Sequence, residues 1–313
     1  MTRRAAVSAA LVTASVLVPP PIRLIARDGL KTVPYRFRIQ TVPHLLGTPI
    51  RPIGQHGLEA IPTPVAIPIP VGDGLQTVPH VAYLMLDATT GVSVAMHWDD
   101  PGHPLPVGSL FKPFTALAYA GAHRFTYPTS VCHGAADGCW LPAGHGRIGI
   151  VEAIAGSCNA YFHQLSQSTS PDAFASTLQS YGMATNGATI TPRAMVGLGD
   201  GLRLAPAQVA GAYVELIARA SQPGVSLILQ GMKASARTGT GRAAGPAVGG
   251  AGGLVKTGTA PCVHSPAAGG DGYAIVIYPA DRPRVVLLVQ AHGRTGAETA
   301  GIAGNVITAL DGR

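Results

Sequence analysis

The residues best suited to nucleophilic chemistry are a serine and a lysine three positions apart, Ser109 and Lys112. Residues at this spacing lie on one face of a helix, so the Ser109 hydroxyl and the Lys112 amine can meet through local structure alone. The helix is predicted to begin at or just before Ser109, because Pro113 suits its first turn. Burial and the positive end of the helix dipole would both keep the lysine neutral. A neutral Lys112 could then accept the serine proton and activate the hydroxyl.

A second stretch, Ser157-Cys158-Asn159, places a hydroxyl and an amide two positions apart. It lies at a predicted junction between two helices, since Gly156 would end the first helix and an apolar helix follows. Ser157 could relay a proton to a leaving nitrogen. Asn159 could hold a substrate amide.

The third stretch, Lys256-Thr257-Gly258-Thr259, is predicted to lie on a strand. Lys256 would supply positive charge, and the hydroxyls of Thr257 and Thr259 would bind a carboxylate. Gly258 would let a peptide backbone lie along the strand edge.

A serine that attacks a carbonyl also needs N–H donors for the developing oxyanion, each worth about 10²–10³ in rate. The backbone N–H groups of Ser109 and Thr259 are the candidates. Simpler interpretations exist for single residues, because Ser109 and Asn159 could each cap a helix and Lys256 could be a surface lysine. Each of the three patterns, however, occurs once in the chain. Their order and wide spacing favour one serine acyl-transfer site.

The predicted elements around these stretches form an α+β domain. A hairpin and three later strands are rich in apolar strand formers: 81–86, 92–96, 253–259, 273–278 and 284–291. Helical spacing is predicted for 150–155, for 157–165, from 205 to about 219, and for 295–310. With the first and last strands adjacent, the result is a five-stranded antiparallel sheet flanked by helices.

Composition narrows the classes of function. The chain has 313 residues, of which 47% are hydrophobic and 12% are charged, with a formal net charge of +7. A positive net charge suits work beside an anionic membrane or cell-wall polymer. Nucleic acid is not an expected partner, because the basic residues are scattered and only 5% of residues are aromatic.

The first 80 residues differ from the rest. A basic start and an apolar run up to Val18 predict a signal peptide or an N-terminal membrane anchor over 1–26, and hence an exported chain. Residues 27–80 are punctuated by proline and are interpreted as a Pro-rich linker or small appendage. Residues 81–313 would form the catalytic domain.

The four cysteines allow several interpretations. Cys132 and Cys139 are close enough in sequence to form a loop disulfide, and Cys158 and Cys262 could be buried thiols. A zinc site built from Cys132, His133, Cys139 and His145 is a weaker interpretation, because the spacing matches no familiar metal pattern. The chemistry expected of the three stretches requires no metal ion or organic cofactor.

The three stretches together resemble the transpeptidase domain of penicillin-binding proteins, within the superfamily of serine β-lactamases and D,D-peptidases. The turn 87–91 also resembles the first hairpin of that family, and the similarity extends over roughly residues 80–310. The resemblance implies a β-lactamase-like and transpeptidase-like fold in the cell envelope, at the outer face of the cytoplasmic membrane or in the periplasm. It also implies cross-linking of peptidoglycan stem peptides through a Ser109 acyl-enzyme, and acylation by β-lactams.

Two other functions remain open at this stage. A serine β-lactamase or D,D-carboxypeptidase would pass the acyl group to water, but a class A-like lactamase needs a glutamate after the second stretch. Residues 191–204 contain none, and Glu215 lies in a helix predicted to pack. A class D-like enzyme usually has an apolar residue where Asn159 stands. A penicillin-binding sensor or a cell-wall scaffold is the non-catalytic alternative.

Overall fold

The computed structural model describes residues 81–245, 252–262 and 270–311. The predicted signal or anchor over 1–26 and the Pro-rich segment 27–80 lie outside these residues. Within the described ranges, no helix combines the length and the apolar character that crossing a membrane requires.

Five strands form one antiparallel sheet in the order β2-β1-β7-β6-β5, and two short strands form a separate hairpin, β3-β4. The strands are β1 (Val81–Asp87), β2 (Ser93–His97), β3 (Ser130–Cys132), β4 (Gly146–Ile148), β5 (Leu254–Ala260), β6 (Asp271–Tyr278) and β7 (Val285–His292). The predicted fold class and the adjacency of first and last strands are therefore confirmed. The β3-β4 hairpin is not among the strands that the sequence predicts.

The turn of the first hairpin is held by one carboxylate. Asp87 Oδ1 accepts hydrogen bonds from the backbone N–H groups of Thr89 (3.0 Å) and Thr90 (2.7 Å) and from the Thr90 hydroxyl (2.9 Å). The bonds from Thr90 hold the pKa of Asp87 below its usual value. Gly91 follows at a φ of 70°, a left-handed conformation that glycine adopts without strain.

Both faces of the sheet are buried, and alternate residues of each strand enter opposite cores. On β6, Ile275 and Ile277 belong to the larger hydrophobic cluster, whereas Ala274 and Val276 belong to the smaller one. This arrangement explains why the central strands are continuous apolar runs in the sequence.

Eight α-helices are described: α1 (Lys112–Ala122), α2 (Ile150–Ala155), α3 (Asn159–Gln167), α4 (Pro171–Ser180), α5 (Pro192–Met195), α6 (Pro206–Ala218), α7 (Val225–Thr238) and α8 (Gly296–Asp311). Helix α8 packs its small and branched residues into the smaller cluster. Helix α7 was not predicted from the sequence, and α4 and α5 fall in a stretch whose pattern is mixed. Helices α2, α3, α6 and α8 begin and end close to their predicted limits.

Candidate active site

Ser109 lies in a one-turn 3-10 helix, Gly108–Phe111, that leads into α1. The α-helix thus begins at Lys112, later than predicted, with Pro113 in its first turn. Ser109 is partly exposed, whereas its neighbours Gly108 and Leu110 are buried. Among the described residues, none forms a hydrogen bond with the Ser109 hydroxyl. This side chain is therefore open to a reaction partner.

The amine of Lys112 is completely buried and points to the second stretch. Its Nζ donates to the Ser157 carbonyl oxygen (2.7 Å) and to Asn159 Oδ1 (2.6 Å), and lies 3.3 Å from Ser157 Oγ. The ring of Phe162 lies 5.6 Å from the same amine. The direct hydrogen bond to Ser109 that the helical spacing allows is not formed in this structure. Tertiary contacts instead connect the first stretch to the second.

The hydroxyl of Ser157 lies between two buried lysines. Lys256 Nζ approaches Ser157 Oγ to 2.9 Å and also donates to the Thr257 carbonyl oxygen (2.6 Å). Ser157 is only 5% exposed and has a φ of 49°, an uncommon left-handed conformation for serine. Such a conformation persists only where the surroundings impose it. The three stretches that are far apart in sequence thus meet at this hydroxyl.

Burial changes the proton affinity of both lysines. It lowers the pKa of Lys112 from 10.5 to about 7. Burial also lowers the pKa of Lys256 well below its usual value, and the nearby charge of Lys112 acts in the same direction. Two ammonium groups next to one hydroxyl repel each other, so the pair can hold a neutral amine at physiological pH.

Asn159 occupies the first position of α3, and the helix is capped by its neighbour rather than by Asn159 itself. The Cys158 sulfur accepts the Tyr161 N–H at 3.5 Å, as an N-cap side chain does. The Asn159 amide is therefore not used for capping. Its oxygen binds Lys112, and its nitrogen can still donate to a substrate carbonyl.

The hydroxyls of the third stretch already have protein partners. Thr257 Oγ1 donates to Thr240 Oγ1 at 2.6 Å. Thr259 Oγ1 accepts the Gly296 N–H at 2.9 Å, at the start of α8. A hydroxyl that accepts one bond can still donate its own proton, so Thr259 remains able to bind a carboxylate.

Close backbone contacts join the third stretch to the first. A Cβ added to Gly258 would lie 2.5 Å from the Val107 carbonyl oxygen, and one added to Gly108 would lie 2.3 Å from the Thr259 carbonyl oxygen and 2.9 Å from its nitrogen. Gly258 therefore has a packing role besides the predicted one at the strand edge. These contacts place the Thr259 backbone against Gly108, the residue before Ser109. The N–H groups of Ser109 and Thr259 would have to lie close together there to bind one oxyanion.

Two further residues at the site were not found from the sequence. Trp140 Nε1 donates to the carbonyl oxygens of Gly156 (3.0 Å) and Ser157 (3.2 Å) from a loop. Thr240 follows Arg237-Thr238-Gly239, a near copy of the third stretch, and binds Thr257. Neither a tryptophan in a loop nor a threonine after a helix predicts such contacts from the local sequence.

Two predictions about the cysteine-containing loop, a disulfide and a metal site with His133, are wrong. Cys132 and Cys139 are free thiols, so the predicted disulfide between them is not formed. The predicted ligand His133 turns away, since its Nδ1 lies 3.1 Å from Asp137 Oδ2 at the surface. The thiols of Cys132 and Cys139 instead lie near His145 and Cys158.

Comparisons with known proteins agree on one fold. The sequence matches the family model described as Penicillin binding protein transpeptidase domain over residues 85–310. A search of the curated proteins finds no match. Among solved structures, the chain is similar to PBP2 of Pseudomonas aeruginosa in complex with WCK 5153, with 18% identity over 74% of this chain and 70% of that chain and a TM-score of 0.62.

Two further structures give similar values. The TP domain of penicillin-binding protein 3 from Burkholderia pseudomallei matches with 19% identity over 74% of this chain and 86% of that chain, and with a TM-score of 0.60. The transpeptidase domain of a D,D-transpeptidase from Legionella pneumophila matches with 19% identity over 74% and 90%, and with a TM-score of 0.56. At these identities, the similarity shows that the fold is shared.

Proposed function

The chain belongs to the family of penicillin-binding protein transpeptidase domains, and from this premise we propose that it is a peptidoglycan D,D-transpeptidase of the cell envelope. Its donor would be a stem peptide ending in D-Ala-D-Ala, and β-lactams would acylate the same serine. The observation that carries the proposal is the convergence of Lys112 and Lys256 on the Ser157 hydroxyl. This arrangement joins three separate stretches into one proton-transfer unit.

In the proposed reaction, Ser109 Oγ attacks the carbonyl of the penultimate D-alanine. The serine proton passes to neutral Lys112, and the N–H groups of Ser109 and Thr259 stabilise the oxyanion. Because catalytic hydrogen bonds often shorten only when substrate is bound, the open Ser109 hydroxyl is compatible with this step. The C–N bond then breaks, and the departing D-alanine amine takes a proton through Ser157. An ester on Ser109 remains.

The second half of the reaction reverses these transfers. The amine of an acceptor peptide attacks the ester, a new C–N bond forms, and Ser109 recovers its proton. Asn159 would hold the donor amide, while Lys256, Thr257 and Thr259 would bind its terminal carboxylate. Gly258 would keep the strand close to Ser109. The net change is exchange of one amide for another.

The placement of the glutamates supports transfer to an amine over rapid hydrolysis. The described ranges hold three glutamates, and each has a local partner. Glu152 accepts the Gly149 N–H, Glu215 binds Arg219 on α6, and Glu298 accepts the Thr295 N–H. A carboxylate that activates water for fast deacylation is thus not found among them.

Labelling of the purified full chain with a fluorescent penicillin tests the proposal. We expect an adduct that persists for hours. Loss of the label within seconds to minutes would instead indicate a β-lactamase, and no label in folded protein would indicate a scaffold.

A second assay separates a transpeptidase from a carboxypeptidase. Given a donor ending in D-Ala-D-Ala and an amine acceptor, a transpeptidase forms a new amide, whereas a carboxypeptidase only shortens the donor. A stable label with neither product would indicate a sensor.

The rate of acylation should rise with pH. Lys112 accepts the serine proton only when neutral, and burial lowers its pKa to about 7. Below that pH, the rate should increase about tenfold per pH unit as the neutral fraction grows, and above it the rate should level off. Stopped-flow labelling at constant ionic strength measures this profile, with circular dichroism confirming the fold at each pH. A rate independent of pH, or a midpoint near 10.5, would exclude Lys112 as the base.

A further inference from the structure

Three cysteine sulfurs and one imidazole nitrogen converge next to the second stretch. Cys132 ends β3, Cys139 follows a short 3-10 turn, His145 precedes β4, and Cys158 caps α3. Their candidate ligand atoms all lie within 4.8 Å of one another. The three thiols are at most 7% exposed. We propose that this cluster, the Cys3His cluster, binds one Zn²⁺ ion.

Three distances between these atoms match those expected around one tetrahedral ion. Zinc binds sulfur at about 2.3 Å and nitrogen at about 2.0–2.1 Å, so tetrahedral ligands lie about 3.6 Å apart for sulfur and nitrogen and about 3.8 Å apart for two sulfurs. His145 Nδ1 lies 3.6 Å from Cys132 Sγ and 3.5 Å from Cys139 Sγ. Cys139 Sγ lies 3.8 Å from Cys158 Sγ. A disulfide would require about 2.05 Å.

The imidazole of His145 is held in the orientation that a ligand needs. Its Nδ1 points to the sulfurs, whereas Nε2 lies beside Gly156, where a Cβ would come within 2.8 Å of the ring. Trp140 packs against the same ring with ring centroids 5.7 Å apart. With Nε2 against the Gly156 backbone, Nδ1 is the ring nitrogen left to bind a metal.

The loop that carries the ligands is closely packed. Gly134 and Gly144 have φ values of 75° and 78°, and a Cβ on either would lie within 2.3 Å of a backbone oxygen. These contacts join Gly134 to Pro142 and Gly144 to Cys132. The loop therefore folds back closely on itself between its first and third ligands, Cys132 and His145.

The chemistry of the ligands favours zinc in a structural role. Thiolates and imidazole together select Zn²⁺ among common ions, and four protein ligands leave no open position for substrate. An ion here would hold Cys158 between Ser157 and Asn159, and so support the strained backbone of Ser157. The proposal goes beyond the acyl-transfer function, and it replaces the weaker prediction that included His133.

Metal analysis and cobalt titration of the full chain test this proposal. Protein purified without chelator should contain about one zinc per chain. After removal of zinc under reducing conditions, Co²⁺ should give thiolate-to-cobalt charge-transfer bands and the intense visible bands of a tetrahedral site. Protein that holds no zinc and gives no such bands, or whose Cys139 is disulfide-bonded to Cys132 or Cys158, would overturn the proposal. This measurement needs no variant and no penicillin, so it is independent of the acyl-transfer assignment.

Variants then locate the ion. Cys139→Ser should weaken the charge-transfer bands, because one of three thiolates is removed. It should also weaken Co²⁺ binding by more than the roughly 10–100-fold that loss of a hydrogen-bond partner of a ligand costs. His145→Cys should retain a tetrahedral site with four sulfurs. The matched control is Cys262→Ser, because Cys262 belongs to a separate group with Asp271 and His292. Loss of cobalt binding in the control, with binding intact in Cys139→Ser, would contradict the assignment.

Discussion

Replacing Ser109 by alanine is expected to abolish covalent labelling by penicillin, because no other hydroxyl would form the acyl ester. A loss on the order of 10⁶-fold would match the effect of removing the nucleophile from other serine acyl-transfer enzymes. The melting temperature should not change, since the Ser109 hydroxyl makes no hydrogen bond within the described ranges. Fluorescent labelling and intact-mass spectrometry over hours measure the effect.

The control for this prediction is Ser180→Ala. Ser180 ends α4, and its exposed hydroxyl donates only to the Thr177 carbonyl oxygen at 2.8 Å. This variant should be labelled at the rate of the unmodified protein. A stable adduct on folded Ser109→Ala protein would show that another residue is the nucleophile, and peptide mapping of the adduct would identify it.

Replacing Lys112 by methionine is expected to slow acylation by about 10²–10⁴-fold, the usual contribution of a general base. Methionine fills a similar buried volume without charge, so the variant should remain folded. The change would also leave the Ser157 carbonyl oxygen and Asn159 Oδ1 without the amine that now bridges them. Stopped-flow labelling at a fixed penicillin concentration measures the rate. The pH dependence expected of the unmodified protein should disappear as well.

A second lysine supplies the matched control. Lys233→Met removes a surface amine that pairs with Asp281 at 3.0 Å. Its effect on labelling should be negligible, because an exposed ion pair contributes little to stability and the variant should stay folded. If folded Lys112→Met were acylated as fast as Lys233→Met, Lys112 would not be the base, and Lys256 would become the next candidate.

Sequence reasoning predicts the fold well where the signals are local. The five strands of the sheet are apolar runs bounded by turn residues, and helix α2 is found at its predicted limits. Helix α7 is an exception. It was not predicted, although its buried residues Val225, Ile228 and Met232 recur at helical spacing, so a local signal was present and was missed.

For the site, the sequence alone determined which residue types were available: one serine before a lysine, one serine before an asparagine, and one lysine on a strand. Their order and spacing identified the family. They did not determine the hydrogen bonds. Helical spacing predicts that Lys112 faces Ser109, yet the amine donates to Ser157 and Asn159.

Only the tertiary structure decided which of these groups touch. Ser157 contacts Lys256, which is 99 positions away in the sequence. Cys139 forms no disulfide with the nearby Cys132, and its sulfur lies 3.8 Å from that of Cys158. The physical reason is that sequence spacing constrains neighbours within a turn or a strand, whereas long-range contacts depend on how helices and strands pack. The contacts of the Ser157 hydroxyl with two lysines and the Cys3His cluster are both products of that packing, around the same short turn before α3.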